Sequence, residues 1–288
     1  MRCVVINLPV ARERREAIGR EFAKVGLDYE IWRAVDGSRL TEEELGSADN
    51  ETRHRLGYDA MDHPALACLL SHTAALRSLA DSEDEMIAVF EDDAILHPDV
   101  AGVLAALEEQ PEGFDVVKLQ RSPDCRRAYF PVRPLGPGHT IGRLRFHDFG
   151  CYGYVITRGA ARRILERFPR PVFEIDWIVP RYWENGLERI YYLDPPPVVF
   201  HNDALPSYIE PQRAAAGAAV RARRRRHPGF ACRKLYGHFL GEVRKRRGFR
   251  ILRMMDREGR DSGEEGRLAK LMFKESGTIN ERGVSLPP

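Results

Sequence analysis

Apolar and polar positions along the chain switch repeatedly between two periods. Residues 2–8 carry Val4, Val5, Ile6 and Leu8 in a short apolar run that Pro9 stops, which is the pattern of a strand. Ala11, Ile18, Phe22 and Val25 then recur at helical spacing among Arg and Glu, predicting a helix over 11–25 closed by Gly26. Residues 29–35 predict a second strand, ended by the turn Asp36-Gly37. Strand, helix, strand in this order is a βαβ unit, with parallel strands and a right-handed crossover expected. Residues 38–61 are polar, with helix-like acids at Thr41-Glu42-Glu43-Glu44, and read as a surface excursion. A helix over 64–80 follows, opened by Pro64, with Leu66, Leu69, Leu70, Leu76 and Leu79 as its apolar stripe. Met86-Ile87-Ala88-Val89-Phe90 is a continuous apolar run, a buried strand, and it ends in Glu91-Asp92-Asp93.

The second half keeps the alternation. Pro98 opens a helix with Val103, Leu104 and Leu107 inward, and 114–119 is a strand. Residues 121–145 are rich in Pro and Gly, the composition of a long loop that holds one hairpin or serves as a substrate lid. Residues 151–157 form a strand, with glycines at Gly150 and Gly153, and lead into a helix over 158–168. The segment from Phe173 runs into one helix ending at Asn185-Gly186, then a strand over 190–193 and the apolar run Val198-Val199-Phe200-His201. No internal repeat is visible. Strands alternating with helices to about residue 200 predict an α/β domain over 1–205 with a mostly parallel sheet flanked by helices. Residues 206–288 differ and read as a basic, largely helical extension.

Composition narrows the class. With 288 residues, 43% hydrophobic and 31% charged, the chain has the make-up of a soluble globular protein with length enough for a large core. No apolar run has the length of a membrane span, and the first nine residues turn polar too soon for a secretion signal. The five cysteines are scattered and include no Cys-x-x-Cys, which points to a reducing, cytoplasmic setting rather than a disulfide or zinc framework. The net charge of +2 hides an asymmetry. Between Arg221 and Arg250 lie twelve Lys and Arg against the single acid Glu242, or +11, so the remainder carries 2 − 11 = −9. Such a tail calls for an anionic partner.

Three acids at one strand end repel one another unless a cation is present. Hard carboxylate oxygens suit Mg²⁺ or Mn²⁺, and Glu91 and Asp93 share a side if the chain stays extended. The competing reading is a solvated acidic turn. Ligands of open parallel sheets bind beyond the carboxyl ends of the strands. There the first strand delivers Asn7, with Arg12 and Arg15 following, and the second delivers Asp36. Arginines at a helix start oppose the macrodipole and fit a phosphate better, although each alone also reads as a solvated helix residue. Lys118 ends its own strand and faces phosphate or solvent. Neither Gly-x-x-x-x-Gly-Lys nor Gly-x-Gly-x-x-Gly follows the first strand, which disfavours P-loop and dinucleotide enzymes.

Five segments in order then carry a resemblance. Val5-Ile6-Asn7-Leu8 with Arg14-Arg15 and Ala34-Val35-Asp36-Gly37, Cys68-Leu69-Leu70-Ser71-His72, Val89-Phe90-Glu91-Asp92-Asp93, the stretch 150–156 with Arg158-Gly159-Ala160, and Asp176 together resemble glycosyltransferase family 25. Ala67 departs from that pattern, which has Gly before the Cys. The resemblance covers about residues 3–205. It implies a GT-A type, Rossmann-like fold, a UDP-sugar donor, Mn²⁺ or Mg²⁺, and transfer with inversion, galactose being the expected sugar. It implies that Glu91, Asp92 and Asp93 hold the metal, Asp93 first and Glu91 next, with His201 as a late imidazole ligand. It also raises His72 from a structural histidine to a site residue. An inverting transfer needs a base on the acceptor face, and Asp176 is the candidate, with an N-cap of the Trp177 helix as the alternative. Trp177, Tyr182 and Trp183 either stack on acceptor sugars or pack in the core.

The expected acceptor is a saccharide, lipid-linked as in lipopolysaccharide or lipooligosaccharide. Leu235, Phe239, Leu240 and Val243, at helical spacing among arginines, read as a basic amphipathic helix. That fits peripheral attachment to an anionic membrane surface, or a helix packed on the domain. No specific nucleic acid is expected. The alternatives are a collagen-type hydroxylysine galactosyltransferase of the same family, and a non-catalytic nucleotide-sugar-binding or nucleic-acid-associated protein.

Overall fold

The computed structural model describes residues 1–56, 58–121, 129–136, 138–145, 148, 150–200, 242–250, 252–253 and 256. In chain order the elements are β1 (Arg2–Asn7), α1 (Arg12–Val25), β2 (Glu30–Arg33), α2 (Glu42–Leu45), α3 (Asn50–Arg55), α4 (His63–Asp81), β3 (Met86–Glu91), β4 (Ala94–Leu96), α5 (Val100–Glu108), β5 (Val116–Lys118), β6 (Tyr129–Pro134), β7 (Thr140–Leu144), β8 (Gly153–Thr157), α6 (Arg158–Arg167), α7 (Ile175–Ile178), α8 (Tyr182–Asn185), β9 (Ile190–Asp194) and β10 (Val198–Phe200). Residues 242–250 are helical as well.

β3 sets the layering. Its side chains alternate, so Ile87 and Val89 join the core formed by α4, α6, α7 and α8. Met86, Ala88 and Phe90 face the opposite core with Ile18 and Phe22 of α1 and Val103, Leu104 and Leu107 of α5. The result is helix, sheet, helix. Phe90 is wholly buried and meets Phe22 edge-on at 5.2 Å. Truncating it to Ala would cost on the order of 3–5 kcal/mol.

The sheet has eight strands in the order β2-β1-β3-β8-β5-β9-β7-β6. β1 pairs in parallel with β2 and β3, as the βαβ pattern predicts. The sheet is nevertheless mixed. β8 inserts antiparallel between β3 and β5, and β7 runs antiparallel to β9 and β6, so only these two strands oppose the common direction. The loop expected over 121–145 holds the β6–β7 hairpin.

Two further expectations change. Residues 38–61 do not simply skirt the surface, because Ala48, Thr52, Arg53 and Met61 are buried. Arg53 donates to the Val172 carbonyl at 2.6 Å and pairs with Glu174 at 3.0 Å, which fixes α3 against the segment before α7. The single helix expected before Gly186 is two short ones. Residues 179–181 interrupt it, and Pro180 lacks the N–H that a continuous helix requires.

The described part of the tail packs on this body. Asp256 forms a two-point pair with Arg143 of β7, at 2.6 and 2.8 Å. Tyr182 donates to the Lys245 carbonyl at 2.8 Å, and Phe249 and Leu252 are buried, Phe249 against Phe130 at 5.2 Å. Leu235, Phe239 and Leu240 lie outside the described residues, as does most of the arginine-rich stretch and the 205/206 boundary. Among the described residues, no helix is long and apolar enough to cross a membrane.

Candidate active site

β3 stops at Glu91, and Asp92-Asp93 form a turn into β4. The three acids therefore part company, and Glu91 and Asp93 do not share a side through an extended chain. Glu91 continues the Ile87–Val89 face and meets α4, where it accepts from His72 Nε2 at 3.3 Å. Asp92 and Asp93 turn toward α1. Arg14 pairs with Asp92 at 3.1 Å and also with Asp93.

His72 is completely buried, and its Nδ1 lies 3.0 Å from the Tyr154 hydroxyl. An ionised Glu91 only accepts, so Nε2 donates to it. The neighbouring Ser71 hydroxyl accepts from the Val35 N–H at 2.9 Å. One turn of α4 thus ties down the ends of both β2 and β3. The Cys68 thiol, one turn earlier, lies with its ligand atom and those of His72 and Glu91 within 4.8 Å of one another.

The electrostatics separate the three acids. Burial pushes Glu91 up, but the His72 hydrogen bond and the charges of His72, Lys118 and Arg14 outweigh it, and Glu91 stays below its ordinary value. Burial raises Asp92, with Arg14 and the Asn7 amide opposing. Burial and the Glu91 charge raise Asp93 to about 7, although Arg14 is beside it. Asp93 Oδ1 is buried with no hydrogen-bond partner. A divalent cation at Asp93 Oδ1 would satisfy that oxygen and relieve the repulsion from Glu91, but the three acids do not gather as one ligand set, and the group of possible ligands found among the described residues is Cys68, His72 and Glu91.

The other expected site residues fall into distinct places. Asn7 is buried, donating to Asp92 at 2.7 Å and to the Ala11 carbonyl at 3.2 Å and accepting from Arg15 at 3.0 Å. It is a strut under the carboxylates rather than an open ligand contact. Arg15 also donates to the Pro9 carbonyl at 3.2 Å. Arg12 is exposed, on the far side of α1 from its buried Ile18 and Phe22. Arg14, absent from the expected set, supplies the guanidinium at the acids. Helical periodicity could have found it, since position 14 lies one turn before Ile18 on the inward face. Asp36 accepts from the Ser38 N–H at 2.9 Å and hydroxyl at 2.7 Å, hydrogen bonds that lower its pKa, and makes no contact with the three acids. Lys118 does not face solvent. It is fully buried and donates to the Gly150 carbonyl, with its Nζ 3.6 Å from the Cys151 sulfur. His201 lies outside the described residues.

Across the β3–β8 junction, Asp176 accepts from the Gly150 N–H at 3.3 Å. Glu174, not Asp176, occupies the N-cap position of α7. Burial raises Asp176, while the Gly150 N–H and the Lys118 charge oppose it. The Gly150 turn is held from beneath by Lys118 and by Gln120, which donates to the same carbonyl at 2.8 Å. Tyr182 and Trp183 are buried and pack edge-on at 4.8 Å, so neither offers a face to a sugar. Trp177 stacks on Phe173 at 5.7 Å beneath the Arg181 guanidinium.

A family model described as glycosyltransferase family 25 (LPS biosynthesis protein) matches residues 1–179, more than half of the chain and the whole of the constellation around β3. The chain belongs to glycosyltransferase family 25. Among curated relatives, it is 29% identical over 186 residues to the lacto-N-neotetraose biosynthesis glycosyltransferase LgtE of Neisseria meningitidis serogroup B, covering 62% of this chain and 64% of that one. It is 30% identical over 178 residues to LgtB of Neisseria gonorrhoeae, covering 57% and 60%. It is 27% identical over 165 residues to the lipooligosaccharide biosynthesis protein lic2B of Haemophilus influenzae, covering 56% and 60%. The matched region is thus less than two thirds of these relatives' own length.

Proposed function

We propose that this family 25 chain is a divalent-cation-dependent glycosyltransferase. It moves a sugar, galactose in this reading, from a UDP-sugar to a saccharide acceptor of the lipooligosaccharide type, with inversion. The observation that carries the reading is the buried, unpartnered Oδ1 of Asp93 beside Glu91 at the end of β3, with Asp176 beyond the Gly150 turn. Glu91 and Asp93 would hold Mn²⁺ or Mg²⁺, with Asp92 behind them fixed by Asn7 and Arg14. Bound there, the ion neutralises charge on the departing UDP.

The chain's own residues supply the rest. His72, locked by Tyr154, orients Glu91. Arg14 keeps two adjacent carboxylates ionisable in a buried place. Asp176, raised by burial, is placed to take the proton from an acceptor hydroxyl as the glycosidic bond forms. The gonococcal and meningococcal relatives, named for lacto-N-neotetraose biosynthesis, support a saccharide acceptor.

The test is release of UDP from UDP-galactose with Mn²⁺ and a lactose-type acceptor, alongside a thermal-shift screen of UDP-sugars. Turnover that disappears in Asp93→Ala supports the reading. If no UDP-sugar shifts the wild type with or without Mn²⁺, the reading is wrong, and affinity without turnover would instead indicate a nucleotide-sugar-binding module.

The cytoplasmic leaflet is the proposed setting. The docked tail helix turns Val243, Arg246, Arg247 and Arg250 outward, a basic face with an apolar residue at its edge. Flotation with anionic vesicles that weakens as salt rises is the expected result. Failure to float at any salt concentration removes the membrane from the proposal.

A further inference from the structure

One aromatic pair lies open beside the acids. β10 pairs antiparallel with β4, setting Phe200 opposite Ala94, the residue after Asp93. Phe200 is 42% exposed and stacks on Tyr152, with ring centroids 4.9 Å apart and planes 30° apart. The backbone ties Tyr152 to the site, since its carbonyl accepts from the Glu91 N–H at 3.1 Å. Its phenol is pushed up to about 12 by burial and by the charges of Asp148, Glu91 and Asp93, so the hydroxyl lies within the field of the acids.

The same ring lies over Gly150. A Cβ at that position would run into it, and the backbone there has φ +86°, which a side chain rarely tolerates. Gly150 is the residue whose N–H meets Asp176. The Tyr152–Phe200 pair therefore bridges the acid row and the residue placed to accept a proton. Flat aromatic faces offer rigid apolar area to the C–H face of a pyranose while leaving its hydroxyls free.

Resting on the glycosyltransferase reading above, we propose that Tyr152 and Phe200 form the acceptor subsite, a stacking platform for an uncharged pyranose ring. The flank built from Arg14, Arg15 and Asn7 is polar and charged. The Tyr152–Phe200 flank is aromatic, and Tyr152 lies against Gly150, whose N–H meets Asp176, the proposed base. Phe200 lies beyond residue 179, where the family match ends.

Saturation-transfer NMR tests this with the methyl β-glycosides of galactose, glucose and N-acetylglucosamine, measured with and without UDP and Mn²⁺, while calorimetry follows UDP itself. Stacking energies of this kind predict a roughly 2- to 12-fold loss of glycoside affinity in Phe200→Ala, recovery in Phe200→Tyr, and unchanged UDP affinity. If Phe200→Ala does not fold, Phe200→Leu keeps the volume in β10 and removes the flat face. Glycoside signals undiminished without the ring overturn the proposal, as does a wild type that binds none of the three. A loss of UDP affinity in place of glycoside affinity assigns the rings to the nucleobase and also overturns it. Failure of the wild type to bind UDP sinks the donor reading alone, and the glycoside signal without UDP still decides whether the platform exists.

Discussion

The two flanks of the acid row are built from opposite materials. On the α1 side, Asn7, Arg14 and Arg15 interlock with Asp92, Asp93 and backbone carbonyls, and their polar groups are largely committed to one another. On the β8 side, the Gly150 turn is propped from below by buried Lys118 and Gln120, and it presents a carboxylate and two aromatic rings. The first flank handles charge with charge. The second keeps its cation buried underneath, and two aromatic rings lie at the Gly150 turn that holds Asp176. On the proposed reading, a diphosphate and an uncharged sugar would meet these two flanks, and the difference would keep phosphate to the first, because a cation exposed on both sides would draw phosphate to either.

The sharpest way to break the contrast is Asp176→Asn. If the β8 flank performs the proton transfer, kcat should fall by about 10²–10⁴ while UDP affinity measured by calorimetry stays put. A fall in UDP affinity with kcat preserved would move Asp176 to the donor side. Next is Arg14→Ala, which strands two nearly buried carboxylates. Breaking such a pair should cost about 3 kcal/mol, a drop in Tm of roughly 6–12 °C, and Mn²⁺ should recover more of it than it adds to wild type. A loss below about 0.5 kcal/mol would mean that the α1 flank is wet.

A smaller effect is read from pH. Asp93 titrates near 7 when folded and near its ordinary 3.8 when unfolded, so between these values the folded protein holds the extra proton. Stability from this group is therefore lost as pH rises through that window. The Tm of metal-free wild type should decline from pH 5 to pH 8 more steeply than that of Asp93→Asn. A slope no steeper than the variant's contradicts the assignment. The smallest is a control outside both flanks. Asp256→Asn weakens the clamp on Arg143 and should cost about 1.5 kcal/mol, with faster proteolysis around residues 242–256 and unaltered kcat and acceptor KM. A change in KM would show that the tail reaches the site.

Much of the α1 flank was legible in the sequence because its determinants are local. The apolar run 86–90, the helix 11–25 and the strand–helix–strand order need only periodicity, and they place β1, α1, β2 and β3 within a residue or two. The helix start drew attention to Arg12 and Arg15, whereas Arg14, one turn before Ile18, is the arginine that reaches Asp92 and Asp93. The β8 flank was harder because its determinants are distant. Nothing in residues 151–157 says that they run antiparallel between β3 and β5. Lys118 at a strand end looks solvent-facing until β8 and the Gly150 turn close over it. Tyr152 and Phe200 meet only because β10 folds back onto β4, across 48 residues of chain.

The position of β8 also sets a timetable. A chain emerging from the ribosome completes β2, β1 and β3 early, but the outer edge of β3 and both edges of β5 stay unpaired until residues 153–157 arrive. β9 must then come in from residues 190–194 to cover the remaining edge of β5. That strand lies beyond residue 179, so a chain shortened to the family-matched segment would lose an interior strand of its sheet and expose a raw β edge to other copies. Family membership is written in the first three fifths of the chain, but the capacity to fold is not complete until that late strand has been made.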